Sequence, residues 1–217
     1  MWKSVDDSSR PEIKAFSFLG RRAEYMGSLP GDRDSVLLAS DGYVSEGAAR
    51  AMFLSALEAA ASGRSVVTVA LGRGMSSVIR GTEAAGGKLH IFAPGSFSGY
   101  YSLSPDYVHA SLSSGGSVAA LPGKELCWKA ALSFSSLFLT TVTGRSQALE
   151  EALDEGVGTC LLRPCLEWKG ARRYVEEGCP VADSYSSLFS LPDALAYERA
   201  DGEYGFLGSF FSIIKLK

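Results

Sequence analysis

The chain has 217 residues, of which 46% are hydrophobic and 21% are charged, and this composition is typical of a folded globular protein rather than a mainly disordered one. Twenty-one Lys and Arg oppose 24 Asp and Glu, giving a net charge of −3; this excludes a globally basic nucleic-acid binder but leaves room for a local basic groove. The sequence has no apolar run of about 18 residues and no secretory leader pattern, so we expect a cytoplasmic protein without a membrane span.

Strand-like and helix-like stretches alternate along most of the chain. Short apolar or β-branched runs predict strands, at residues 35–39, 65–70, 89–93, 118–121, 137–142 and 159–162. Apolar residues that recur three or four positions apart predict helices, at residues 45–62, from Gly74 to Gly86, and at 124–132, 147–155 and 168–177. The repeated β-α-β order predicts an α/β fold: a three-layer Rossmann-like domain with a mostly parallel sheet and helices on both faces.

The two ends of the chain do not continue this alternation of strands and helices. We therefore divide the chain into an N-terminal extension, residues 1–34, a Rossmann-like domain, residues 35–190, and a C-terminal tail, residues 191–217. The extension has one short apolar stretch, at residues 15–19, and the tail has another, at residues 206–214. The apolar part of the tail is expected to cover a face of the sheet or to contact another subunit.

Three turns follow predicted strands, at the edge where open parallel sheets bind ligands. They are residues 40–42, 71–76 and 143–146. Glycines allow the backbone to approach a ligand, and free N–H groups at a helix start favour an anion. These turns therefore predict phosphate contacts from Gly72, Gly74, Thr143, Gly144 and Ser146, with added charge from Arg73 and Arg145. The alternative is that they are only tight strand-to-helix turns.

The sequence shows no catalytic constellation and no cofactor motif. The GxGxxG fingerprint is absent because Ser77 stands at its third glycine, and no Walker motif or GxSxG elbow is present. His90 lies in a predicted strand and is interpreted as a core residue, and His109 has no evident partner. The four cysteines form no CxxC pair or zinc pattern. We expect no metal, no cofactor and no enzymatic activity.

Basic and aromatic residues occur together in a few places, as in Trp128-Lys129. A basic groove with stacking rings is typical of single-strand binding, but such neighbours also occur on ordinary packed surfaces, and both interpretations stay open. The helix at 147–155 carries an acidic outer face that would repel a nucleic-acid backbone, formed by Glu150, Glu151, Asp154 and Glu155.

Several segments in order resemble the motifs of one family. Residues 66–76 read VVTVALGRGMS and residues 84–95 read AAGGKLHIFAPG, similar to VVSGLAxGID and GGxTIAVLGxG. Residues 130–133, AALS, resemble IAGLS, and residues 143–148, TGRSQA, resemble SGSLxTA. Over residues 14–190 the chain thus resembles the Rossmann-like domain of the DNA-processing protein A family, DprA or Smf.

The chain also departs from that family pattern. Asp41 stands where the first turn of the family, GSRxxSxYG, has its arginine, and only Lys129 keeps the positive charge of an RNR triplet. The resemblance implies a single-stranded-DNA-binding protein of DNA processing and transformation that helps to load a RecA-type recombinase and often acts as a homodimer. Matched residue by residue, the resemblance implies that DNA is contacted by Arg73, Gly74, Lys129, Gly144 and Arg145. It supports a contact from Ser40 less strongly.

Two other interpretations remain open. One is a nucleotide-phosphate-binding protein of the lysine-decarboxylase-like phosphoribohydrolase type, although the PGGxGTxxE motif of those enzymes is missing. The other is a partner-binding protein without a ligand, which would use its apolar tail as the contact surface.

Overall fold

The computed structural model describes residues 11–31, 33–72, 74–97 and 103–190. Within those residues a single sheet contains nine strands, at Lys14–Phe18 (β1), Arg21–Gly27 (β2), Ser35–Asp41 (β3), Ser65–Val69 (β4), Leu89–Pro94 (β5), Ser117–Leu121 (β6), Ser135–Val142 (β7), Gly158–Leu162 (β8) and Val181–Ala182 (β9). Six α-helices lie at Glu46–Ala61 (α1), Met75–Ala84 (α2), Pro105–Ser113 (α3), Lys124–Ser133 (α4), Gln147–Asp154 (α5) and Lys169–Glu176 (α6). Short 3-10 helices at Arg163–Glu167 and Ser186–Ser190 follow β8 and β9.

The strand order is β1-β2-β6-β5-β4-β3-β7-β8-β9. Strands β3 to β9 pair with one another in parallel. The parallel part starts in the middle at β3 and runs outward through β4 and β5 to β6. The chain then returns to place β7 on the other side of β3. The topological switch point, where the direction of winding reverses, therefore lies between β3 and β7.

Helices cover both faces of this sheet, which confirms the predicted three-layer Rossmann-like arrangement. Alternate residues of a strand point to opposite faces, and the central strands β3 to β8 are buried on both. Leu37 and Phe92 pack on the face covered by α4, α5 and α6, whereas Val36 and Ile91 pack on the face covered by α1, α2 and α3. A strand that buries both faces reads as a continuous apolar run, which is why β3 to β8 were visible in the sequence.

Residues 14–27 form a hairpin that extends the sheet beside β6. β2 pairs antiparallel with β6 through Glu24↔Ala120 to Gly27↔Ser117. Leu19 and Gly20, with φ of 48° and 72°, make the two-residue turn, and positive φ at both positions matches the right-handed twist of the strands. From the sequence, only the apolar stretch of β1 was apparent. β2 was not predicted, because that strand, RRAEYMG, carries charge and no strict alternation.

Candidate functional site

The turns after β3 and β7 meet at the switch point. Ser40 and Thr141 are register partners near the carboxyl ends of these strands. Gly42 follows β3 with a φ of +111°, and a Cβ there would lie 2.3 Å from Thr143 Oγ1. A side chain at Gly42 would therefore be strained and would push the two turns apart. The predicted residues Ser40, Thr143 and Gly144 thus belong to one edge.

The turn after β4 packs onto the end of β3. A Cβ at Gly72 would lie 2.3 Å from Ser40 Oγ, and one at Gly74 would lie 2.5 Å from Met52 Sδ and 3.4 Å from Ser40 Oγ. The two glycines are therefore needed for close packing against β3. Arg73, which stands between them, lies outside the described residues, and its role stays a prediction.

Two buried hydroxyls lie at this edge. Ser40 is 5% exposed and Thr141 is 1% exposed, and neither hydroxyl has a hydrogen-bond partner among the described residues. Register partners in neighbouring parallel strands point to the same face, here the face of α1 and α2. An unsatisfied buried hydroxyl costs roughly 1–3 kcal/mol, and two of them stand side by side here with unused hydrogen-bonding capacity.

Asp41 places a carboxylate at the N-terminus of α5. Ser146, the N-cap, donates a hydrogen bond of 2.7 Å from its Oγ to Asp41 Oδ2 and accepts one of 3.3 Å from Leu149 N. The backbone N–H of Ser146 donates to Tyr174 Oη at 2.6 Å. A helix N-terminus favours an anion, and here the protein supplies that anion itself. The hydroxyl and amide of Ser146 are thus engaged within the protein.

The two predicted cations in the described part are each paired with a carboxylate. Arg145 Nε and Nη2 donate to Glu150 at 2.8 and 3.1 Å, and the pairing raises the pKa of Arg145. Lys129 Nζ lies 2.9 Å from Glu125 Oε1 on α4, which raises the pKa of Lys129. Arg145 belongs to the switch-point edge. Lys129 faces the acidic side of α5, and the structure describes no contact between it and either turn.

An aromatic pair borders the same edge. Tyr43, in the turn after β3, and Trp168, just before α6, make an edge-to-face contact with ring centroids 5.8 Å apart. They are 53% and 38% exposed. A Cβ at Gly170 would lie 2.5 Å from Gly144 Cα, so the start of α6 packs directly on the turn after β7.

Sequence reasoning did not single out this pair, because Tyr43 and Trp168 come together only through the pairing of β3 with the later strands. The one local signal was an aromatic residue beside basic ones, Trp168 before Lys169 and Arg172. Trp128, which we did consider, packs against Phe138 with ring centroids 5.8 Å apart and is only partly exposed.

The histidines and cysteines stand apart from this edge. His90 is a buried residue of β5, as predicted, and its Nδ1 lies 2.9 Å from Ser117 Oγ. Burial lowers the pKa of His90 to about 4, so the ring is neutral at pH 7. All four cysteines are buried free thiols, and burial raises the pKa of Cys127 to about 12.

The described ranges also show neither a metal cluster nor a membrane-spanning helix. No group of three or more His, Cys, Asp or Glu side chains there could hold a metal ion. No helix in the same ranges has the length and apolar character to cross a membrane.

No protein-family model matches the sequence, and no curated protein matches it either. Among solved structures, the X-ray structure of DNA processing protein A (DprA) from Streptococcus pneumoniae matches with a TM-score of 0.58 at 15% sequence identity. The match covers 78% of this chain and 65% of that chain. The fold is DprA-like.

This likeness concerns the backbone. The DprA-like sheet places its switch point between β3 and β7. The turns at 71–76 and 143–146, which carried the sequence resemblance, follow β4 and β7, and the turn at 40–42, where the sequence departs from the family pattern, lies at the end of β3. Because the chain spans only 65% of the DprA chain it matches, what the whole of that protein does is not transferred with the fold.

Proposed function

We propose that this protein binds single-stranded DNA at the carboxyl edge of β3, β4 and β7, as a diverged DprA-like protein of DNA processing and recombination rather than an enzyme. The observation that carries the proposal is the meeting of three turns at the switch point of a DprA-like fold, over the hydroxyls of Ser40 and Thr141, which have no partner among the described residues. Parallel sheets of this class bind ligands at that edge.

The same geometry supports weak binding. Asp41 occupies the N-terminus of α5, and Glu150 neutralises Arg145. Each phosphate that a protein neutralises on a single strand contributes about −0.7 to the slope of log affinity against log salt. With few free cations among the described residues of the edge, we expect measurable binding only at low salt and a slope of about −1.4 to −2.1, that is, two or three phosphate contacts.

Further parts of the proposal follow from the sequence resemblance. They are action in the cytoplasm during natural transformation, the loading of a RecA-type recombinase and the formation of a homodimer. Each concerns a second macromolecule, and DNA binding has to be established before they are tested.

The experiment is fluorescence anisotropy of a labelled poly-dT oligonucleotide across a salt series. Arg145→Gln and Arg73→Gln should each weaken binding and reduce the salt slope by about 0.7. Arg33→Gln is the matched control, because Arg33 is an exposed arginine paired with Glu155 and precedes β3 at the opposite end of the strand. Folded protein that leaves the anisotropy unchanged at low salt would refute the proposal, and nucleoside phosphates would then be the ligands to test.

A further inference from the structure

A groove lies beside the switch-point edge, between the start of α1, the 3-10 helix after β8, and α6. Its volume is about 540 Å³, and it is lined by Gly47, Arg163, Pro164, Leu166, Arg172 and Asp183. Sites for small organic molecules occupy about 300–1,000 Å³, so the groove is large enough for one nucleotide unit. None of these residues belongs to the three turns described above.

The aromatic pair Tyr43 and Trp168 is close in the chain both to residues of those turns and to residues that line the groove. Tyr43 belongs to the turn after β3, two residues before the N-cap of α1, and Trp168 is followed immediately by α6. The edge-to-face contact holds each ring against the other while both remain partly exposed. Because the two rings restrain each other, stacking a base on Trp168 costs less side-chain entropy than stacking it on an unrestrained ring.

The cations near Trp168 differ in whether a described carboxylate pairs with them. Arg163 is paired with Asp183, and Arg173 is paired with Glu177. Among the side chains that the structure describes, neither Lys169 nor Arg172 has a carboxylate partner. Arg172 Nε donates to Leu166 O at 3.2 Å, which leaves further guanidinium N–H groups for a phosphate.

The charges also differ along the edge. At the turns, Asp41 and Glu150 oppose a phosphate, whereas the side of Trp168 presents Lys169 and Arg172. A strand that follows the carboxyl edge therefore finds its least opposed phosphate contact beside α6. Aromatic stacking is available only to unpaired bases, since the faces of paired bases are covered in a duplex.

We propose that Trp168, supported by Tyr43, stacks an unpaired base while Lys169 and Arg172 hold the adjoining phosphate, so that the groove beside α6 is a second subsite of the single-strand path. This inference rests on the proposed function, which it extends from the switch point toward β8.

The first test is the affinity for labelled poly-dT by anisotropy. Trp168→Ala should weaken binding about 5- to 150-fold, the range found when a stacking ring is removed, and Trp168→Phe should retain most of the affinity. Phe189→Ala is the matched control, since Phe189 is also a half-exposed member of an edge-to-face pair, with Tyr185, near the C-terminus of α1. Arg172→Gln should weaken binding and reduce the salt slope by about 0.7.

The second test reads the ring directly. A protein with Trp2→Phe and Trp128→Phe keeps Trp168 as its only tryptophan, and stacking should quench that emission on addition of poly-dT. A protein that keeps only Trp128 should show no quenching. Circular dichroism melts identify any variant that fails to fold. If Trp168→Ala is such a variant, Arg172→Gln and the single-tryptophan protein still test the subsite.

The outcomes separate the two proposals. If poly-dT binds but Trp168→Ala and Arg172→Gln bind as tightly as the parent and Trp168 is not quenched, the subsite is refuted and the switch-point proposal stands. If poly-dT does not bind the parent at all, both are refuted. Tighter binding of poly-rU than of poly-dT would retain the stacking subsite and overturn DNA as its ligand.

Discussion

Replacing Asp41 by Asn is expected to strengthen single-strand binding while it weakens the fold. A phosphate held by the turn after β7 would come on the order of 6 Å from the Asp41 carboxylate, which itself lies 2.7 Å from Ser146 Oγ. At an effective dielectric of about 20 to 80, that repulsion amounts to about 0.7–2.8 kcal/mol. Asp41→Asn should therefore tighten binding roughly 3- to 100-fold.

The cost to the fold has the opposite sign. The carboxylate accepts the hydrogen bond of the N-cap Ser146 and stabilises the N-terminus of α5. Losing the charge there should lower the free energy of unfolding by about 0.3–1 kcal/mol. Urea denaturation followed by circular dichroism measures this loss, and anisotropy with poly-dT measures the gain in affinity on the same samples.

Asp34→Asn is the matched control for this experiment. Asp34 immediately precedes the same strand, at its opposite end, and pairs with Arg64 at 3.6 Å. The two substitutions change the net charge equally, so a general electrostatic effect would appear in both. The reasoning fails if Asp41→Asn binds poly-dT no more tightly than Asp34→Asn does.

Three further experiments test the packing of Gly72 on β3, the buried His90, and the pairing of Arg145 with Glu150. Gly72→Ala should lower the free energy of unfolding by about 1–3 kcal/mol, because its Cβ would lie 2.3 Å from the hydroxyl of Ser40 on β3. Gly144 has open space around it, so Gly144→Ala should change the free energy of unfolding by less than about 0.5 kcal/mol in the same urea titration. The pKa of His90 is about 4 in the fold and 6.5 as its ordinary value, so the unfolded chain binds the proton first and stability falls as the pH drops from 6.5 to 4, by about 3 kcal/mol in total. His90→Asn should remove that part of the pH dependence in urea titrations between pH 4 and pH 7, and an unchanged slope would contradict it. Glu150→Gln removes the carboxylate that neutralises Arg145, so poly-dT should bind a few-fold more tightly in anisotropy. Weaker binding would show that Glu150 does not hold Arg145 away from DNA.

The central strands were predictable because burial on both faces leaves a local signature. Val36 to Leu38 are apolar at successive positions, and Val66 to Val69 are all β-branched, a pattern typical of strands buried on both faces. β2 has no such signature, since it gains its place by pairing with β6, about 90 residues later in the chain. The apolar content of Arg21–Gly27 alone could not have indicated a strand.

The edge that carries the candidate site was predictable for a similar reason, because the carboxyl ends of parallel strands meet at one edge. The charges of that edge were not. The pairing of Lys129 with Glu125 is a local i,i+4 contact that the sequence contains. The bond from Ser146 to Asp41, however, joins residues 105 positions apart and depends on β7 lying beside β3.

The pairing of β3 with β7, a strand much later in the chain, affects how the sheet folds. β3 acquires β4 early, but its other neighbour, β7, is joined to it by contacts such as Ser136 to Ser35, 101 residues apart. As the chain is synthesised, the apolar strand β3 therefore keeps one edge open until β7 emerges, and open apolar edges invite pairing with other chains. Pairings this distant also fold slowly. This edge of the sheet is thus completed only after β4, β5 and β6 have been synthesised, and until then Ser40 and Asp41 stand at an open strand end without their counterparts on β7 and α5.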